Sequence, residues 1–186
     1  MKRIVITGGP GGGKTTALDL FKRELKNGIS IAPEAATILF ENGYQRSDEE
    51  HHLRETQKSI YNLQKSLEEI FISNANTTTV LCDRGSLDGL AYWPGDNESF
   101  FAAINSNLEE ELSRYEAVIF FESGACSGGD LKSNNPYRNE SIDQARELDH
   151  KLRTIWSQHP NFYFIKSDDS FISKVIKGLE AIKSQI

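Results

Sequence analysis

Residues 8–15 read Gly8-Gly9-Pro10-Gly11-Gly12-Gly13-Lys14-Thr15, a full match to the pattern G-x-x-x-x-G-K-[ST]. The flanks agree with it. Arg3-Ile4-Val5-Ile6-Thr7 is short, β-branched and apolar, as a buried parallel strand is. After the run, Leu18, Phe21 and Leu25 recur at helical spacing between polar residues. Strand, glycine loop and helix in this order make a phosphate-binding loop. Glycine permits positive φ and a close backbone approach. Successive N–H groups and the positive helix end then face an anion. Gly8 through Thr16 are the expected nucleotide-binding positions, with Lys14 on the β and γ phosphates and Thr15 on Mg²⁺. A glycine-rich turn that binds nothing is the plainer alternative.

The rest of the chain alternates strands with helices, the pattern of an α/β fold with a parallel sheet covered on both faces. Strands are expected at residues 2–7, 28–32, 78–82, 117–121 and 161–165. Helices are expected at 35–41, 48–73, 97–114, from Ser141 onward, and at 170–183. The long helix takes Leu53, Ile60, Leu63, Leu67, Ile70 and Phe71 as its apolar stripe. Ser141-x-x-Gln144 is a capping box, and Ala145, Leu148, Leu152, Ile155 and Trp156 form the apolar face that follows. Residues 122–139 are rich in Gly, Ser and Asn, long for a loop, and a candidate lid. No repeat or linker divides the 186 residues, so one domain is expected.

Bulk properties narrow the partners. A net charge of −6 argues against broad binding to nucleic acid or anionic lipid. No apolar run approaches a membrane span. The N-terminus reads as a core strand rather than a signal peptide. Cys82 and Cys126 fit no metal spacing and read as free thiols. A cytoplasmic protein is the expectation.

Four further residues are candidates for chemistry. Asp83 follows an apolar strand, where such enzymes place a carboxylate for Mg²⁺, although a turn or helix cap would also use it. Arg84 beside it would orient an anionic or hydroxylated substrate. Glu34 follows the second strand and would face an acceptor hydroxyl as base or hydrogen-bond acceptor, or simply stabilise a first helical turn. Arg138 would neutralise charge on a transferring phosphoryl group from the lid, with Arg146 and Lys132 as weaker choices. Tyr92 and Trp93 would stack on a ring or fill the core. Gln57 and Gln64 interrupt the long helix's apolar face, as pocket liners or as an exposed edge. His51, His52, His150 and His159 make no metal or catalytic pattern. The Asn-Lys-x-Asp guanine-reading element is absent after Phe121.

Taken together, the chain resembles a small AAA-labelled P-loop family of ATPases and kinases. That family is related to the ribosylnicotinamide-kinase domain of the bacterial NAD regulator and to the P-loop domain of the animal TRPL translocation defect protein. The resemblance rests on Ile6 through Thr16, Pro33-Glu34-Ala35-Ala36, Cys82-Asp83-Arg84-Gly85 with Asp88, and residues 134–138 with Glu140. Residues 145–149, Trp156 and His159-Pro160 continue it. It implies a three-layer P-loop fold of nucleoside- or nucleotide-kinase type, with Asp83 and Arg84 in the cleft and Arg138 in the lid. The DNA-binding, adenylyltransferase and lipid-associated domains of those relatives have no counterpart here, so their regulatory functions are not carried over. Two activities follow as expectations. One is Mg²⁺-dependent transfer of the γ-phosphoryl of ATP or GTP to a small nucleoside-like acceptor. The other is an ATPase or GTPase switch working through a protein partner, with a second copy of the chain as a further candidate partner.

Overall fold

The computed structural model describes residues 1–25, 27–127, 141–167 and 170–186. Five strands, β1 (Lys2–Thr7), β2 (Ile29–Ala32), β3 (Thr79–Asp83), β4 (Ala117–Phe121) and β5 (Phe162–Ile165), form one sheet in the order β2-β3-β1-β4-β5. Every pairing is parallel. The helices are α1 (Lys14–Leu25), α2 (Ala35–Glu41), α3 (Glu50–Ile72), α4 (Asn97–Ile104), α5 (Leu108–Ser113), α6 (Ile142–Trp156) and α7 (Phe171–Lys183).

Strands covered on both faces need apolar side chains in both directions. Ile4, Ile6, Leu81, Ile119 and Phe121 pack with Leu18 and Phe21 of α1 and Ile182 of α7. The alternate residues Val5, Val80, Cys82, Val118 and Phe120 pack on the other face with Ile72, Phe100, Leu152 and Trp156. Each such side chain withdrawn from water contributes about 1.5–3 kcal/mol before entropy is counted. The capping box of α6 forms as its sequence specifies, with Ser141 and Gln144 each bonding the other's backbone N–H.

Two expectations are corrected. The single helix over 97–114 is two helices. Asn105 takes the left-handed conformation at φ 51° and closes α4. Asn107 then caps α5 by accepting the Glu110 N–H at 2.9 Å. Asparagine tolerates this geometry and its amide competes with helical hydrogen bonds, so two asparagines break the run. The second correction concerns α3. Its buried stripe is Thr56, Gln57, Tyr61, Gln64, Glu68 and Ile72, while Ile70 is 58% exposed. Leu53, Ile60, Leu63, Leu67 and Phe71 are half-buried.

Tyr61, Gln64 and Glu68 of that stripe are satisfied internally. The Glu68 carboxylate, fully buried, accepts from the Tyr115 hydroxyl at 2.9 Å, the Gln64 amide at 3.2 Å and Arg114 at 2.7 Å. The Tyr61 hydroxyl donates to Glu111 at 2.7 Å. Burial raises the Glu68 carboxyl above the ordinary range, against the lowering pull of Arg114. Among the described residues, no helix is long and apolar enough to cross a membrane.

Candidate active site

The sheet order places β1 between β3 and β4, so the glycine loop leaves the middle of the sheet's carboxyl edge. Ligands of open α/β sheets bind at that edge. Gly8 is required there on two counts: its φ is +131°, and a Cβ would lie 1.9 Å from the Phe121 carbonyl oxygen. The loop therefore presses onto the end of β4 and re-enters α1 at Lys14. The Lys14 ammonium, on a side chain almost wholly buried, donates to the carbonyls of Gly8 and Gly9 at 2.8 Å each.

Register brings the metal candidates together. Ile6 of β1 pairs with Asp83 of β3. Thr15, one residue into α1, then meets the Asp83 carboxylate, donating its hydroxyl to Oδ2 at 3.2 Å. Burial pushes the Asp83 carboxyl up to about 6 and the charge of Glu34 adds to this, while Lys14, Arg84 and the Thr15 hydroxyl pull it down. Protons and a cation compete for this carboxylate, because only its charged form ligates a metal. The donor set, one carboxylate oxygen and one hydroxyl oxygen, fits a hard cation such as Mg²⁺ that keeps most of its own waters.

Arg84 and Glu34 are linked. Arg84 Nε donates to Glu34 Oε1 at 3.2 Å, and its Nη1 donates to Asp88 at 2.9 Å and to the Gly8 carbonyl at 2.9 Å. The Arg84 backbone sits at φ 76°, unusual for a residue with a side chain. Its N–H donates to the Ile6 carbonyl and its own carbonyl accepts from Gln64 Nε2 at 3.1 Å. Glu34 precedes α2 and also accepts from the Thr37 hydroxyl at 2.6 Å. Its side chain does not cap α2.

A cavity of about 210 Å³ lies against this pair. Its wall includes Glu34 and Arg84, Pro10 of the glycine loop, the aromatic rings of Phe40 and Tyr92, and Gln57. Gln57 and Gln64 are buried pocket-lining residues, not an exposed helix edge. Tyr92 and Trp93 part company: Tyr92 faces the cavity, and Trp93 is buried, its ring edge-on to Phe100.

Other candidates fall elsewhere. Arg138 and Lys132 lie outside the described residues, as does most of the candidate lid; its first part, Gly124–Ser127, is a 3₁₀ turn. Arg146 is occupied near that turn, donating to the Ala125 carbonyl at 2.7 Å. Of the histidines, His52 lines the cavity, and His159 is buried against the Tyr115 carbonyl at 2.9 Å. The two cysteines are free thiols, Cys82 buried and Cys126 exposed.

Sequence reasoning gave no role to Asp88, which organises the site. Its carboxylate accepts from the Thr7 hydroxyl, Arg84, the Gly85 N–H and the Trp156 indole N–H. The spacing Arg84 to Asp88 is the only local hint, since Thr7 and Trp156 lie far away in sequence.

With this geometry in place, the comparisons are specific. The AAA domain family model matches residues 3–171, and the chain belongs to that family. The sequence matches no curated protein. Among solved structures, the deoxyadenosine kinase from M. mycoides with products dCMP and a flexible dCDP bound superposes with TM-score 0.68 at 17% identity, covering 98% of this chain and 99% of that one. The same kinase with bound dATP gives 0.61 at 15% identity, covering 98% and 100%. The fold is thus that of a P-loop nucleoside kinase.

Proposed function

We propose that this protein is a single-domain, Mg²⁺-dependent phosphotransferase that moves the γ-phosphoryl group of ATP or GTP to a hydroxyl of a small nucleoside-like acceptor. The observation that carries this reading is the cavity walled by Glu34 and Arg84 and bounded by Pro10. An enzyme whose acceptor is water needs no second pocket next to its phosphate loop; a kinase does. A switch acting through Tyr92 and Trp93 as effector surface is less favoured, because one ring faces the cavity and the other is buried.

In this reading the loop amides of residues 11–15 cradle the phosphates and Lys14 turns from the loop carbonyls to the β and γ phosphates. Thr15 and Asp83 would hold Mg²⁺, which when bound would supply charge neutralisation to the phosphates. Glu34 accepts a hydrogen bond from the acceptor hydroxyl and takes its proton as the oxygen–phosphorus bond forms and the bond from the γ-phosphorus to the departing nucleoside diphosphate breaks. Arg84 fixes the Glu34 carboxylate and adds positive charge beside the reacting oxygens. Arg138 is proposed as a second cation for the transferring group. Phe40 and Tyr92 offer flat apolar surface to a ring, and Gln57 offers a planar amide to its polar edge. The M. mycoides kinase whose fold this chain shares is described with deoxynucleotides bound, which supports a nucleoside-like acceptor. Glu34→Gln tests the assignment: acceptor phosphorylation should fall about a hundredfold with nucleotide affinity retained. Unchanged phosphorylation would count against Glu34 as the base.

A further inference from the structure

We propose that Asp149 of α6 is a positioning residue for the phosphate loop, clamping its first limb to the end of β4; this rests on the nucleotide-binding reading above. Asp149 Oδ1 accepts two backbone N–H groups at once, from Gly9 at 2.9 Å and from Ser123 at 2.8 Å. Gly9 follows β1 and Ser123 follows β4, so one oxygen ties together the exits of two adjacent strands. Ser123 adds a second tether, its hydroxyl donating to the Pro10 carbonyl at 2.5 Å. The fit is close. A Cβ on Gly9 would lie 2.5 Å from Asp149 Oδ1 and 2.9 Å from Ser123 Cβ, so the loop needs glycine here because Asp149 occupies the space.

Asp149 is 3% exposed. Burial raises its carboxyl above the ordinary range, and the Ser123 and Gly9 amides offset this. A buried charge costs free energy, and an uncharged acceptor would satisfy two amides nearly as well. A buried carboxylate at this spot is explained by stiffness: charge-assisted hydrogen bonds hold the loop's geometry more firmly than neutral ones. A loop already shaped for phosphate pays less ordering entropy on binding. The Gly9 N–H donates to Asp149 and so is turned away from the phosphate cradle; the clamp acts through the loop backbone and not on the ligand.

The test compares nucleotide affinity, measured with Mg²⁺-ATP and Mg²⁺-GTP by titration calorimetry, across wild type, Asp149→Ala, Asp149→Asn and Ser123→Ala, with the thermal midpoint of each. Asp149→Ala should weaken binding about tenfold or more. Asp149→Asn, which keeps an Oδ1 acceptor but not its charge, should weaken binding by about threefold, less than Asp149→Ala. Ser123→Ala should fall between them, and it carries the test if Asp149→Ala does not fold. A structural role alone would lower both Asp149 thermal midpoints without separating their affinities. Wild-type affinity in both alanine variants overturns the clamp while leaving the nucleotide reading standing. Failure of the wild-type protein to bind either nucleotide overturns both.

Discussion

Thr15 and Asp83 lie 68 residues apart in sequence, yet the Thr15 hydroxyl donates to Asp83 Oδ2 at 3.2 Å. The parallel register of β1 with β3 creates this pair, because it sets the carboxyl end of β3 beside the start of α1. In the proposed function this pair would hold Mg²⁺, with an affinity that depends on the protonation of Asp83.

Mg²⁺ affinity should therefore fall as pH drops through about 6, the value to which burial and then Glu34 push Asp83. The stability consequence has the opposite direction. Between its ordinary 3.8 and about 6 the folded state holds a proton that the unfolded chain has lost. Without cation, stability should fall as pH rises across that window. Asp83→Asn should remove the Mg²⁺ dependence and Asp83's share of the stability dependence, leaving the part due to other buried carboxyls such as Glu68 and Asp149. Calorimetric Mg²⁺ titrations and thermal midpoints from pH 4 to 8 check this, and identical profiles for wild type and variant would refute it.

Lys14→Ala should weaken nucleotide binding about 10- to 100-fold, the loss of charge-assisted hydrogen bonds to phosphate. Because Lys14 bonds the Gly8 and Gly9 carbonyls without ligand, the variant should also show faster hydrogen exchange in the glycine loop. Unchanged affinity would count against the loop as the nucleotide site.

Arg84→Met should destabilise the fold by about 3–5 kcal/mol, because it takes the cation from the buried Asp88 carboxylate and the half-buried Glu34 carboxylate. Denaturant unfolding measures this, and a loss under about 1 kcal/mol would show that the buried pairs are not coupled to folding. Trp156→Phe removes only one donor from Asp88, and should cost about 1.5–3 kcal/mol while leaving nucleotide affinity intact.

Filling the cavity should separate its two neighbours. Thr56→Tyr places a ring in the space bounded by Gln57 and Tyr92. Phosphorylation of the acceptor should be lost while Mg²⁺-nucleotide affinity stays within about threefold. Loss of both together would mean that the cavity is not a separate acceptor pocket.

Much of this was legible in the sequence because the signals are local. The glycine loop, the five apolar strands and the capping box at Ser141 each declare themselves within a few residues. Asp83 and Glu34 could be placed because strand ends point to the binding edge of such a sheet. What stayed hidden depends on contacts across the fold. The α3 stripe reads as leucine and isoleucine, yet the residues buried are Gln64 and Glu68, because their partners Arg84, Arg114 and Tyr115 arrive from later in the chain. Asp88 and Asp149 belong to the stretches that carry the resemblance, but their roles show only when Trp156 and Gly9 close on them. The break at Asn105 was readable from its two asparagines but was outweighed by the helical spacing of Phe101, Ile104, Leu108 and Leu112.

The most direct test of the central claim is nucleoside-diphosphate release from ATP and from GTP with Mg²⁺, without and with a pool of nucleosides, nicotinamide riboside and other small hydroxyl acceptors. The expected result is strong stimulation by the pool, traceable to one acceptor by dividing it and lost in Glu34→Gln. Slow release that no acceptor changes would contradict a phosphotransferase and turn the search to protein partners.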